Sequence, residues 1–351
     1  MPATSVDTFF ACSLMVLLVL SAMAGASKIL YPYINNFGDE GVAERCMEIS
    51  KYLLLNSGKP LDWGRNGQII PESFGLAVTG SDVPYELDID KVSRLNSENL
   101  YALSYAQIFT ALKIPDVLFR MEIKPIFDVA INLTETYALT DETVYQFEIS
   151  TEKHGAPVQT ELKYYVIAEN YFETASISVS DGKTSFNVTL PNGVNGPALL
   201  VVIARSIYNI KVVSFGVYAF AHSYGQPKQK GTFLRLSPLN QTLTANVVYP
   251  ETISADAYAL TFNYHSNLTQ IENGKYAIPS FADSSPTLMV VTGWNAADFF
   301  AEWTVYPQVP LQIGADFTGS SAPSKVLAYN YIVTVNSVLY QCTVWIGGLK
   351  E

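Results

Sequence analysis

From Thr8 to Ser27 the chain runs for twenty residues without a charge, rich in Leu, Val, Met and Phe. As a helix rising about 1.5 Å per residue, this run matches the roughly 30 Å hydrocarbon core of a bilayer. It divides the chain into a segment suited to lipid and a remainder that must fold around its own core. Two fates fit the run. A retained anchor is favoured by what precedes it, Met1-Pro2-Ala3-Thr4-Ser5-Val6-Asp7, which holds an acid and no Lys or Arg where a secretory leader is basic. A cleaved signal is the alternative, because Ser21-Ala22-Met23-Ala24-Gly25-Ala26-Ser27 offers small residues for a peptidase. On the first reading, Phe9, Leu14, Val16, Leu17, Leu18 and Leu20 are the anchor residues and membrane lipid is a partner.

Lys28 alone would place the following residues on the cytoplasmic side. Other features point outward. The chain has a net charge of −11 and only 15% charged residues, with Tyr, Thr, Asn and Ser dominating its polar surface, as in exported β-rich proteins. Four N-x-T sequons, at Asn132, Asn187, Asn240 and Asn267, are candidate glycosylation sites. Residues after about 30 are therefore expected outside the cell. An acidic chain without Lys/Arg runs also argues against nucleic-acid binding, which needs a basic footprint.

The expected fold class is mainly β behind an N-terminal transmembrane helix spanning 1–30. Apolar residues three and four apart at Val42, Cys46, Ile49 and Leu53 predict a helix over about 39–55, stopped by Asn56-Ser57-Gly58-Lys59-Pro60. Asp88 or Asp90 can cap a helix through Val92 and Leu95, and Ser104 one through Leu112. Strand periodicity begins at Leu118, so 31–138 reads as an α+β neck. Over 139–222 short alternating runs follow one another between turn signals, as in Val144-Tyr145-Gln146-Phe147-Glu148-Ile149, and fit an immunoglobulin-like sandwich. Within it, Leu199 to Ala204 reads as a strand buried on both faces. A Pro/Gly/Lys linker from His222 to Gly231 leads to a second β domain, 232–351, of unspecified type, ending on a hairpin that turns at Asn336-Ser337.

Two blocks of sequence carry a family likeness. Ser50 to Gly64, with Phe74-Gly75-Leu76-Ala77, and then Tyr85 to Asn96 with Ser104-Tyr105 through Leu112, resemble archaeal pilin-like, membrane-anchored surface proteins. The likeness extends over residues 1 to about 130. It implies a hydrophobic N-terminal helix of the type IV pilin kind, β-rich exodomains, and assembly with itself or other pilin-like subunits. Read on its own terms, the first block is a loop in which Leu61, Trp63, Phe74 and Leu76 fold back over Leu53 and Leu54, with Trp63 as a lid.

Signs of chemistry are sparse. There is no G-x-S-x-G, HExxH, CxxC or phosphate-cradling glycine loop. His154, His222 and His265 read as exposed polar residues in a turn, a linker and a strand end. Cys46 and Cys342 read as buried thiols, a bridge between them being the alternative. No cofactor or metal is expected, and the chain is not expected to be an enzyme. Tyr and Trp belong mostly to cores; the densest aromatic cluster, Trp294 with Phe299-Phe300-Ala301-Glu302-Trp303, makes Trp294 and Trp303 the candidate binding surface. The function expected is that of a surface structural or adhesive protein, with a glycan- or solute-binding module as the alternative.

Overall fold

Apolar and polar residues alternate through most of the chain after Leu118, and the computed structural model turns that alternation into strands; it describes residues 15, 16, 18–21, 23, 41–228, 233–317 and 325–348. The chain forms two units, Met1–Ser50 and Lys51–Glu351. In the first, residues 15, 16, 18–21 and 23 are helical, and Val16, Leu18 and Leu20 are exposed. Residues 41–50 are also helical, with Cys46 and Ile49 buried. Phe9, Leu14, Leu17 and most of the predicted anchor lie outside the described residues. Among the described residues no helix is long and apolar enough to cross a membrane.

The second unit opens with helical residues 51–55 and a long loop, then β1 (Glu86–Leu87), α1 (Ile89–Ser93), α2 (Tyr105–Leu112) and β2 (Leu118–Pro125). Asp88 caps α1, accepting from the backbone N–H groups of Asp90 and Lys91. Ser104 and Gln107 form a reciprocal capping box on α2. Leu53, Leu54, Trp63, Phe74 and Leu76 are fully buried as expected, whereas Leu61 is half exposed.

The strands that follow form two sandwiches. The first contains β3 (Asp128–Ala138), β4 (Glu142–Lys153), β5 (Ala156–Pro157), β6 (Thr160–Ala168), β7 (Tyr171–Val179), β8 (Lys183–Pro191), β9 (Ala198–Ser206) and β10 (Val213–Phe220). One sheet sets β4 between β3 and β8, and the other runs β10-β9-β6-β7. Phe147, Ile149, Leu162, Val188, Leu200 and Val202 fill the space between them. With β5 taken as a short extension beside β4 and the rest lettered in chain order, these sheets read A-B-E and G-F-C-C′, the Greek-key order of an immunoglobulin-like sandwich.

The second sandwich repeats the scheme. It contains β11 (Leu234–Leu239), β12 (Thr242–Val247), β13 (Thr252–Leu260), β14 (His265–Asn267), β15 (Thr269–Glu272), β16 (Lys275–Ala277), β17 (Thr287–Asn295) and β18 (Asp298–Tyr306). Its sheets run β11-β12-β16-β15 and β14-β13-β17-β18, or A-B-E-D and C′-C-F-G, around Leu243, Ala259, Met289, Val291 and Phe300.

Sheet pairing moves two boundaries. The strand at 128–138, expected in the neck, is strand A of the first sandwich. The last hairpin, β20 (Val326–Val335) and β21 (Val338–Gly347), was expected inside the second β domain. Instead it joins β1, β2 and β19 (Leu311–Gly314) in a five-stranded neck sheet ordered β1-β20-β21-β2-β19. The neck's apolar strand β2 needs partners on both edges, and β21 and β19 supply them. Its turn residues Asn336 and Ser337 both have positive φ, as a two-residue hairpin requires.

In β9 every residue from Ala198 to Ala204 is buried. Leu200, Val202 and Ala204 face the first core, which leaves Leu199, Val201 and Ile203 on the other side. That side meets the second sandwich. The Tyr165 hydroxyl donates to the Thr261 carbonyl at 2.7 Å, Phe172 packs on Tyr258 with centroids 5.3 Å apart, and Phe215 meets Trp303 edge-on at 6.2 Å. Leu260, Leu288 and Val290 are the fully buried apolar residues on the outer face of the opposing sheet. Like strands thus lie against like, C and C′ on C and C′, G on G.

Ile203→Ala should lower the unfolding free energy by about 2–4 kcal/mol, as for a core position, in urea titration monitored by fluorescence. A loss below about 0.5 kcal/mol would mean that this face is not an interface.

Candidate binding surface and a buried polar joint

Trp294 on β17 and Trp303 on β18 are both half-buried and lie on the outer face of their sheet. They do not form one surface. Trp294 is opposite Phe299 and Trp303 opposite Val290, so four residue steps, roughly 13 Å, separate them along the strands. Trp294 stands at the end of the second sandwich, crossing Phe299 at 68° with centroids 5.5 Å apart. Its partner on β13 is Ile253, 69% exposed, and Val248 and Tyr249 are exposed in the adjoining turn. This is an apolar tip.

Trp303 lies deeper, at the margin of the inter-sandwich contact. A cleft of about 220 Å³ beside it is lined by Pro197, Leu199, Val217, Lys228 and Phe300. A second cleft, of about 300 Å³, is bounded by Glu98, Leu234, Arg235, Glu302 and Trp303. The Arg235 guanidinium donates to the Ser97 carbonyl at 3.1 Å, which ties the wall of that cleft to the neck.

A separate polar joint is built on α1 and its C-cap. Asp90 is 4% exposed, and its Oδ1 accepts from the Tyr306 hydroxyl at 2.6 Å and from the Asn240 backbone N–H at 2.7 Å. Both donors belong to the second sandwich. Ser93 Oγ accepts from the Gln308 N–H at 3.2 Å, and Gln308 in turn hydrogen-bonds through its side chain to Asn99. Lys91 and Arg94 reach the other way, into the neck loop. Lys91 Nζ donates to the carbonyls of Ser57 and Ala77 at 2.9 and 3.0 Å. Arg94 donates to the carbonyls of Tyr101, Trp63, Asn66 and Gly67, with its guanidinium 5.6 Å from the Trp63 ring centre. Gly64 must be glycine, because a Cβ there would come within 2.7 Å of Lys91.

Burial shifts all three charged groups toward their neutral forms. It raises Asp90, against the opposing effect of the Tyr306 and Asn240 hydrogen bonds. It lowers Lys91, against the pull of Asp88, and lowers Arg94, against Asp90. In sequence Asp90 reads only as a candidate helix cap, and nothing marks Lys91 or Arg94. Burial of a short helix between two domains leaves no local signature.

The histidines divide. His154 and His265 are exposed as expected. His222 is not: it is 1% exposed, with Nδ1 2.8 Å from the Tyr145 hydroxyl and Nε2 donating to the Pro191 carbonyl at 3.0 Å. It closes the end of the first sandwich. Cys46 and Cys342 are both buried and share no disulfide, and burial pushes the Cys342 thiol up to about 12. All four sequon asparagines are exposed. Among the described residues no three of His, Cys, Asp and Glu are grouped to hold a metal ion.

No protein-family model and no curated protein matches the sequence. Solved structures similar to it include a two fibronectin type-III domain segment from chicken tenascin, 10% identical, covering 52% of this chain and 98% of that one at a TM-score of 0.18. HBP35 of Porphyromonas gingivalis is also 10% identical, with 55% and 64% covered and a TM-score of 0.19. At such scores neither carries an argument, and the fold class rests on strand order.

Because Asp90 is raised above its unfolded value, its ionisation removes stability as pH rises from about 4 through the raised value. Asp90→Asn keeps a side-chain oxygen for both donors without the charge. It should therefore gain stability relative to wild type at pH 7 compared with pH 3.5, measured by urea unfolding at both. A difference independent of pH would contradict the buried carboxylate.

Proposed function

We propose that this chain is a cell-surface structural or adhesive protein that presents two immunoglobulin-like sandwiches from a neck held at the membrane by residues 8–27. The observation that carries the reading is the way the exodomain is spent on its own rigidity. Two sheet faces that could have met partners are buried against each other, and a buried polar joint fixes the second sandwich to the neck. Such construction suits a part that holds a position. Assembly with itself or with pilin-like subunits, through the same apolar segment, is the more specific form of the proposal.

The exposed tip favours a second reading as a binding module. Ile253, Tyr249 and Val248 surround Trp294 at the end of the sandwich farthest along its strands from the Asp90 joint. An exposed cluster of this kind marks contact surfaces more often than a scattered single residue does.

Val16→Glu or Leu17→Glu should move the protein from the membrane fraction to the soluble one, and abolish any filament seen by electron microscopy. Circular dichroism of the exodomain should not change. Persistence in washed membranes would remove the anchor from the proposal. Trp294→Ala that leaves surface adhesion intact would remove the tip.

A further inference from the structure

We propose that Asn132 and Asn187 together make one N-glycosylated face on the first sandwich, and that Asn240 and Asn267 stay bare in the folded protein. The inference rests on the surface location proposed above and sorts the four sequons by where the fold puts them.

Asn132 on β3 pairs with Glu148 on β4, and Asn187 on β8 pairs with Gln146 of the same strand. Phe147, between those two β4 residues, points into the core with no exposure. Residues 146 and 148 therefore point the other way, and both asparagines go with them. They flank the middle strand on the outer face of the A-B-E sheet, roughly 12 Å apart. Around them the face is hydrophilic, with Ser150, Lys183 and Ser185, and it is the opposite side of the sandwich from the buried inter-sandwich contact. Thr134, the hydroxyl residue of the first sequon, sits at a register shift in β3 and donates to the Gln146 carbonyl at 3.0 Å.

The other two sequons are exposed but placed against neighbours. Asn240 occupies the tight turn between β11 and β12, with φ of 49°, and its backbone N–H is the donor to Asp90. A glycan there would crowd the joint with α1. Asn267 pairs with Tyr258, whose ring packs on Phe172 of the first sandwich. Its side chain shares the sheet face that meets that sandwich.

The chemistry is transfer of an oligosaccharide from a lipid-linked phosphate donor by a membrane transferase. A bond forms between the asparagine Nδ2 and the sugar's anomeric carbon, the bond from that carbon to the phosphate oxygen breaks, and its electron pair leaves on the phosphate. The amide proton lost from Nδ2 passes to the transferase's base.

The test uses the full chain isolated from membranes of the cells that make it, with glycopeptide mass mapping and, in parallel, protease treatment of intact cells. Accessible protein should carry saccharide mass increments on the Asn132 and Asn187 peptides and none on those of Asn240 and Asn267. The double variant Asn132→Gln/Asn187→Gln should lose both increments and keep its circular dichroism spectrum. Accessible protein with either Asn132 or Asn187 bare, or with increments on Asn240 or Asn267, overturns the assignment. A chain that intact cells shield from protease, and whose four sequons are all bare, overturns the surface reading and this inference with it.

Discussion

Three charged side chains on one short helix and its C-cap, Asp90, Lys91 and Arg94, tie the neck loop to the second sandwich. Each is almost wholly removed from water, which would be prohibitive for unpaired ions. Part of the cost is offset by hydrogen bonds, to main-chain carbonyls from Lys91 and Arg94 and to Asp90 from the Tyr306 hydroxyl and the Asn240 N–H. Lys91 and Arg94 satisfy carbonyls of the loop between residues 56 and 87, adding to the turn hydrogen bonds that the loop makes with itself. Asp90 faces the other way and receives donors from the second sandwich. Removing any of the three would strand buried partners, which costs more than the interaction itself contributes.

The second constraint is apolar. The sheet faces bearing Leu199, Val201 and Ile203 on one sandwich and Leu260, Leu288 and Val290 on the other are too hydrophobic to face water, and each covers the other. Tyr165 adds direction, its hydroxyl seeking a carbonyl across the contact. Because the first sandwich docks through its G-F-C-C′ sheet, it leaves its A-B-E face outward, and the second leaves its apolar tip. The polar joint and the apolar contact thus fix which surfaces remain for partners, glycans or other copies.

Legibility followed locality. The cap at Ser104, a cap at Asp88 or Asp90, the turn at Asn336-Ser337 and the doubly buried run from Leu199 to Ala204 could be read from the chain, because each is decided by residues within a few positions of one another; the structure gives the first of the two aspartates the cap. Strand 128–138 and the hairpin at 326–347 were seen as strands, but their sheets were misassigned: 128–138 pairs with the next strand, β4, and periodicity does not say on which side of a domain boundary a strand pairs, while the hairpin's partners β1 and β2 lie more than two hundred residues before it. The repeat of one sandwich in the other was invisible for the same reason: the two share strand order, not residues. His222 was placed at the surface from its Pro- and Gly-rich surroundings, and only Tyr145 and Pro191, brought close by folding, give it a buried role. Of the candidate binding surface, Trp294 stands at an exposed tip and Trp303 at an interface margin, a division that depends on where the first sandwich docks.

The central claim is that neck and sandwiches behave as one body. Differential scanning calorimetry of the full chain tests it most directly. A single transition whose calorimetric and van't Hoff enthalpies agree is the expected result, since the joint and the sheet-to-sheet contact would have to be lost together. Separate transitions for the neck and the sandwiches would contradict it.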